Sequence, residues 1–199
     1  MPPYSFSSSL KKYAMEITLL RHGKPDIPPL DKLTASGFRK WLQNYNASEL
    51  SLSSKPTHEA LVCASGSNAI VCSKLPRSIE SANELNSAKV VLSDSIFNEA
   101  GLPSANWYGL KLSPKSWAVF FRVLWLLGYS RNSESIKEAK KRAVKAVKIL
   151  SELANEHAKV LLVGHGVYNR ILANELRKTG WAGPKNPGSK HWSCGVYKR

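Results

Sequence analysis

Four side chains in this sequence have the types and spacing to handle an anion. Arg21 and His22 close the short run Ile17–Leu20 and are followed by Gly23; His165, between Gly164 and Gly166, closes a second apolar run, Val160–Val163. A third run ends at Cys72 and leads through Ser73 to Arg77. Two imidazoles and two guanidiniums that converge would suit a doubly charged, tetrahedral anion such as phosphate. The guanidinium fork matches its oxygens and stays charged at every working pH. An imidazole there can do more than bind: with its proton on one ring nitrogen, held by a backbone acceptor, the other nitrogen is free to attack phosphorus.

Such convergence requires elements that bring distant residues to one edge. Residues 16–20, 69–72, 89–92 and 159–163 are short, β-branched and bounded by polar or glycine positions, as buried strands are. Helical patterns lie between them: 35–46 after a Thr34 cap, 76–86 with Pro76 at its start, 134–156 and 167–178. In 134–156 the apolar positions are Ile136, Ala139, Ala143, Val147, Leu150 and Leu153. The Ser/Pro-rich segments 48–57 and 183–189 read as loops. This alternation predicts an α/β fold, a three-layer sandwich with a mainly parallel sheet and helices on both faces. Ligands of such sheets bind at the carboxyl ends of the strands, where Arg21, His22, Ser73 and His165 fall, provided that their strands are neighbours. Glycines beside each histidine are expected to let the backbone turn tightly and approach a ligand closely, and Gly166 opens a helix whose N-terminus favours anions.

The composition is that of an ordinary globular chain: 199 residues, 43% hydrophobic, with a net charge of +15. Residues 1–14 read as a disordered or loosely packed lead-in, with Met15 as an alternative start, and 15–199 as a single domain. Three cysteines at irregular spacing suit neither a disulfide framework nor a zinc knuckle, and a reducing cytoplasm is the simplest location. Basic residues are spread along the chain, and the densest group, KEAKKRAVKAVK, alternates with apolar residues as the solvated face of a helix does. No nucleic-acid partner is expected from charge alone. The lead-in lacks the apolar core of a signal peptide. The run WAVFFRVLWLLG (117–128) is too short to span a bilayer and contains Arg122, so no membrane insertion is expected.

Four blocks in order, LLRHG, CSKLPRSIESA, FNEAG and VLLVGHG, each after an apolar run, resemble the signature blocks of the histidine phosphatase superfamily, in its phosphoglycerate mutase-like branch. LTASGFRKW and SESIKEAKKRA are similar to that family's intervening helices, so the resemblance spans about residues 15–180. It implies a phosphatase that hydrolyses a phosphomonoester through a phosphohistidine on His22. Arg21, Arg77, His165 and Gly166 would bind the phosphoryl group, His165 would stabilise the transferring oxygens, and Glu99 would be the proton donor. It also implies no metal and no cofactor, and a small phosphorylated substrate or a phosphoprotein as partner; the oligomeric state is left open. Asp26, Asp94 and Glu134 are other acids near loops or a helix start. His58, His157 and His191 lie outside the blocks and are expected to be structural or exposed.

Departures from the family pattern bear on the reaction. RHGKPDIP and NEAGLP stand where phosphoglycerate mutases carry a polar Ser and Asn and an arginine-rich block, so a second phosphate or carboxylate would lack its arginine partners. Hydrolysis is therefore preferred over mutase-like phosphoryl transfer. A non-catalytic phosphate-binding relative is the other alternative, against which stands the intact set Arg21, His22, Arg77 and His165. Lys24 either meets a second anionic group or is solvated. The insert at about 100–133 is the expected lid, its apolar stretch serving an apolar leaving group or packing as a helix on the domain.

Overall fold

The computed structural model describes residues 15–199, and the expected lead-in lies outside them. The described strands are β1 (Glu16–Arg21), β2 (Ala69–Cys72), β3 (Val90–Ser93), β4 (Lys159–Gly164) and β5 (Cys194–Lys198). The helices are α1 (Ala35–Ala47), α2 (His58–Ser65), α3 (Pro76–Asn86), α4 (Pro114–Leu126), α5 (Ile136–His157) and α6 (Gly166–Lys178). One sheet runs in the order β3-β2-β4-β1-β5. Its β3–β2, β2–β4 and β4–β1 pairs are parallel, and β5 lies antiparallel on β1.

The central strands are buried on both faces, which is why their sequences are continuous apolar runs rather than alternating ones. Ile17, Leu19, Val71 and Leu162 face the packed sides of α5 and α6, including Ala139, Ala143, Leu150 and Leu172. Leu20, Ile70, Leu161 and Val163 face Ala60 and Ala64 of α2 and Ala82 of α3. The three-layer sandwich expected from the alternation is the one observed. A third cluster, with Phe38 of α1 against Trp117 and Phe121 of α4, forms a separate packing unit.

Caps mark the helix starts. Thr34 accepts the Gly37 N–H, Pro76 opens α3, and Ser135 with Glu138 forms a capping box that begins α5 at Ile136 rather than at 134. One helix and a strand go beyond the sequence pattern: α2 follows a Thr57 cap, and β5 is an edge strand of five residues with a glycine inside it. The apolar stretch of the insert forms α4.

Register places the site. Arg21 pairs with Gly164, and Cys72 with Val163, so Arg21, Ser73 and Gly164 end three neighbouring strands at one level. The condition that the histidine-bearing strands be neighbours is met, and the His22 N–H donates to the Gly164 carbonyl at 3.0 Å.

Candidate active site

His22 is 2% exposed. Its Nδ1 lies 2.6 Å from the Gly23 carbonyl oxygen, which can only accept, so the ring proton sits on Nδ1 and Nε2 carries the lone pair. Arg77 Nε donates a hydrogen bond to that Nε2 at 3.3 Å, a bond that a phosphoryl oxygen would have to replace before Nε2 attacks. Burial first, and then the Arg77 guanidinium, hold the imidazole well below its ordinary 6.5, with the Gly23 carbonyl acting in the opposite direction. A neutral ring with Nε2 unprotonated is the form that can act as a nucleophile.

The His165 ring lies 4.9 Å from that of His22, centroid to centroid. Its Nε2 is 2.7 Å from Ser73 Oγ, and the Leu75 N–H donates to the same Oγ at 3.3 Å. The Ser73 hydroxyl proton has no acceptor other than Nε2 among the described residues, so the hydroxyl donates to Nε2 and places the His165 proton on Nδ1. That Nδ1 and Arg21 Nε are both buried without a hydrogen-bond partner among the described residues. Two donors remain for an anion. Burial, and then the neighbouring His22 and Arg77, keep the His165 imidazole well below 6.5. Arg77 is fixed by the Tyr45 carbonyl at 3.0 Å and lies over the Tyr45 ring, 4.7 Å from its centroid. Arg21 Nη1 donates to the Ser189 carbonyl, and its guanidinium lies against Gly166, where a Cβ would sit 3.3 Å from Nε.

The glycines beside the histidines do not serve the expected tight turns. Gly23, Gly164 and Gly166 do not occupy the left-handed region. They are needed for close approach: a Cβ at Gly23 would come within 2.5 Å of Leu50 Cδ1 and 2.6 Å of Trp192 Cε2, and one at Gly164 would overlap the Asn169 amide. That buried amide donates to the Leu20 carbonyl at 3.1 Å, tying α6 to β1 one residue before Arg21.

Glu99 caps α6 from another loop. Its Oε1 accepts the N–H groups of Tyr168 at 2.8 Å and Ala100 at 2.9 Å, and its Oε2 accepts that of Val167 at 3.3 Å. The helix has no side-chain cap of its own at His165. Two arginines hold the Glu99 loop by its carbonyls: Arg142 donates to Ile96 and Asn98, Arg122 to Ala100 and Gly101. Glu134 is held at both oxygens by Arg142, at 2.5 and 3.1 Å, and also accepts the Gly101 N–H. Asp94 caps the turn at Ile96, and Asp26 is exposed. Of the acids considered from the sequence, Glu99 is the one that borders the cavity beside Arg21.

This cavity, about 680 Å³, is walled by Trp41 and Tyr45 of α1, Leu102, and Pro114, Lys115 and Ala118 of α4. In the insert, α4 packs on α1 through Trp117 and Phe121, as expected of a helix on the domain, and Ala118 faces the cavity. Lys24 is exposed, its backbone N–H bonded to Ser54 Oγ at 2.7 Å. Sequence reasoning missed His191. Its ring lies 5.4 Å from that of His22, and its Nδ1 is 3.0 Å from the His22 carbonyl oxygen. It reaches the site because β5 pairs with β1, and that strand left no clear signal in the sequence. No group of three or more potential metal-ligating side chains occurs among the described residues. No helix among them is long and apolar enough to cross a membrane.

Fold and site together define a three-layer α/β protein with paired histidines and arginines at the carboxyl ends of adjacent parallel strands. The sequence profile of the histidine phosphatase superfamily (branch 1) matches residues 17–196. The chain belongs to that superfamily. Among curated proteins no match was found. Among solved structures, the chain is similar to a mycobacterial glucosyl-3-phosphoglycerate phosphatase complexed with VO3. The TM-score is 0.56 and the identity 21%, over 92% of each chain. It is also similar to a phosphoserine phosphatase from Entamoeba histolytica in complex with 3-phosphoglyceric acid, with a TM-score of 0.51 and 17% identity over 82% of this chain and 80% of that one. These likenesses are of fold.

Proposed function

We propose that the protein hydrolyses a small phosphomonoester through a phosphohistidine on His22. The observation that carries this reading is the hydrogen bond from His22 Nδ1 to the Gly23 carbonyl, which leaves Nε2 as a lone-pair donor beside Arg77. The phosphoryl oxygens are taken by Arg21 Nε, Arg77, His165 Nδ1 and the Gly166 N–H at the start of α6. Nε2 attacks phosphorus, the bond from phosphorus to the ester oxygen breaks, and Glu99 gives that oxygen its proton. Water then attacks the phosphohistidine, Glu99 takes up a proton, and the P–N bond breaks to release inorganic phosphate. Charge spread over the equatorial oxygens in a loose transition state is what the cationic donors stabilise. The rest of the substrate occupies the cavity between α1 and α4, for which α4 serves as a fixed lid.

The test is hydrolysis of an aryl phosphate in the presence of chelator, with rapid-quench trapping of labelled enzyme. Expected are full activity and an acid-labile, base-stable adduct on the peptide containing His22, absent in His22→Ala. Activity lost with chelator and restored by magnesium, or label on a serine or aspartate, would overturn the mechanism.

A further inference from the structure

Cys63 in α2 and Cys194 at the start of β5 are 131 positions apart in sequence, yet their Sγ atoms lie 2.7 Å from each other. Spacing along the chain gives no hint of this. It follows from a helix that begins at the Thr57 cap and from the pairing of Cys194 with Leu20 across the sheet. Both thiols are half-buried and reachable by a small molecule, whereas Cys72 is fully buried. Reaching the ~2.05 Å of an S–S bond requires well under 1 Å of further approach.

We propose that Cys63 and Cys194 form a reversible disulfide that fastens α2 to β5, with a small-molecule disulfide of the glutathione type as oxidant. The hydrogen bond from Cys194 favours the thiolate at Cys63, whereas that same bond, and then burial, hold the proton on Cys194. Cys63 is therefore the attacking sulfur. Its thiolate attacks one sulfur of glutathione disulfide and releases one glutathione thiolate. Cys194 then loses its proton, with the Glu59 carboxylate 3.6 Å away as acceptor, and attacks the Cys63 sulfur of the mixed disulfide. A second glutathione thiolate leaves. Two protein thiols are oxidised, one glutathione disulfide is reduced to two thiols, and the two protons end on glutathione or in solvent.

The bond would act on the segment that supports the site. Immediately before Cys194, the Ser193 carbonyl accepts the Arg21 N–H, the Trp192 N–H donates to the Arg21 carbonyl, and His191 contacts the His22 carbonyl. Anchoring the start of β5 to α2 closes a long loop and restrains this segment in the unfolded chain as well as in the native one.

The experiment incubates the purified full chain with glutathione disulfide, counts thiols under denaturing conditions and maps peptides without reduction. The reduced protein should show three thiols and the oxidised protein one, Cys72, with a Cys63–Cys194 cross-linked peptide that disappears on adding dithiothreitol. Tm should rise by about 5–10 °C on oxidation, and neither Cys63→Ser nor Cys194→Ser should show the cross-link or the rise. Three persistent thiols, a glutathione adduct on Cys63 with Cys194 still free, only intermolecular dimers, or a cross-link without a change in Tm would overturn the proposal. None of these readouts depends on phosphatase activity.

Discussion

Replacing Glu99 by glutamine separates its role as a helix cap from its role as an acid. Oε1 accepts one of the two cap hydrogen bonds of α6, from Tyr168, and also the Ala100 N–H of its own loop, and an amide oxygen placed there keeps both. The amide nitrogen then takes the position of Oε2, where it faces the Val167 N–H 3.3 Å away and can accept nothing. One cap bond and one negative charge at a helix N-terminus are lost, about 1 kcal/mol in all. For a chain of this length that is a fall in Tm of roughly 2–4 °C, so the variant stays folded. The chemical cost is larger and depends on the leaving group. An alkyl phosphate expels a strongly basic alkoxide that needs the proton, whereas a nitrophenolate leaves with little help. Phosphorylation of the enzyme by an alkyl phosphate should slow by about 10²–10⁴-fold, the range of general acid catalysis, and by nitrophenyl phosphate far less. Burst kinetics must be used, because loss of the same group as base in dephosphorylation would hide the contrast in the steady state. Equal losses with both esters would refute the acid role and leave Glu99 as the cap of α6.

The other predictions concern the surroundings of the two histidines. Gly23→Ala should destabilise the protein by about 1–3 kcal/mol through overpacking, and a smaller residue at Trp192 should recover part of that loss in denaturant unfolding; additive effects would contradict the packing argument. Ser73→Ala leaves the buried His165 Nε2 without its donor, and should slow phosphorylation of the enzyme by about 5- to 150-fold for a loss of about 1–3 kcal/mol, measured in single turnover. His22, His165 and His191 all have pKa values lowered mainly by burial. The unfolded chain therefore takes up protons that the native state refuses as pH falls through 6.5. Their neutral burial costs nothing above that pH, and below it stability declines by up to about 1.4 kcal/mol per pH unit per histidine. Tm should be flat from about pH 8 to 7 and fall from 6.5 towards 5; a rising Tm over that interval would show that the imidazoles are charged in the native state.

What was legible in the sequence depended on how locally it was encoded. β1 and β4 are buried on both faces, so their apolar runs are continuous and end abruptly at Arg21 and Gly164, which places His22 and His165 by inspection. The cap at Thr34 and the proline at α3 fix helix starts through interactions within four residues. His191 is different: its position depends on an edge strand whose residues are only partly buried and which contains a glycine, so no periodicity marks it. The glycines flanking the histidines were visible as residues but not in their reason. Overlap with Leu50, Trp192 and Asn169 is set by chain segments brought together only in the fold. The same holds for Glu134, an acid by type whose two oxygens are engaged by Arg142 from the next turns of α5.

The arrangement around Glu99 reconciles two requirements of the proposed mechanism. A group that transfers a proton to the leaving oxygen and later takes one from water must move its carboxyl, yet its reach must be set to well under 1 Å. The structure meets these with different parts of one residue. The backbone on either side is fixed through four carbonyls, at 96, 98, 100 and 101, by arginines whose own guanidiniums rest on the Tyr168 and Trp125 rings. The side chain is held by two N–H groups at a helix end and by the Ala100 N–H beside it. A net hydrogen bond there is worth about 1 kcal/mol, so exchanging one for a bond to the ester oxygen is nearly neutral. An incoming phosphoryl group also competes for the same helix N-terminus, which would displace the carboxylate from its cap when substrate arrives. Arg142→Ala, by contrast, releases the backbone and strands the Glu134 carboxylate. It should lower the rate with an alkyl phosphate and a nitrophenyl ester unequally, as Glu99→Gln does, if Arg142 works by positioning the acid. Equal effects on both esters, with a comparable loss of Tm, would assign it to stability alone.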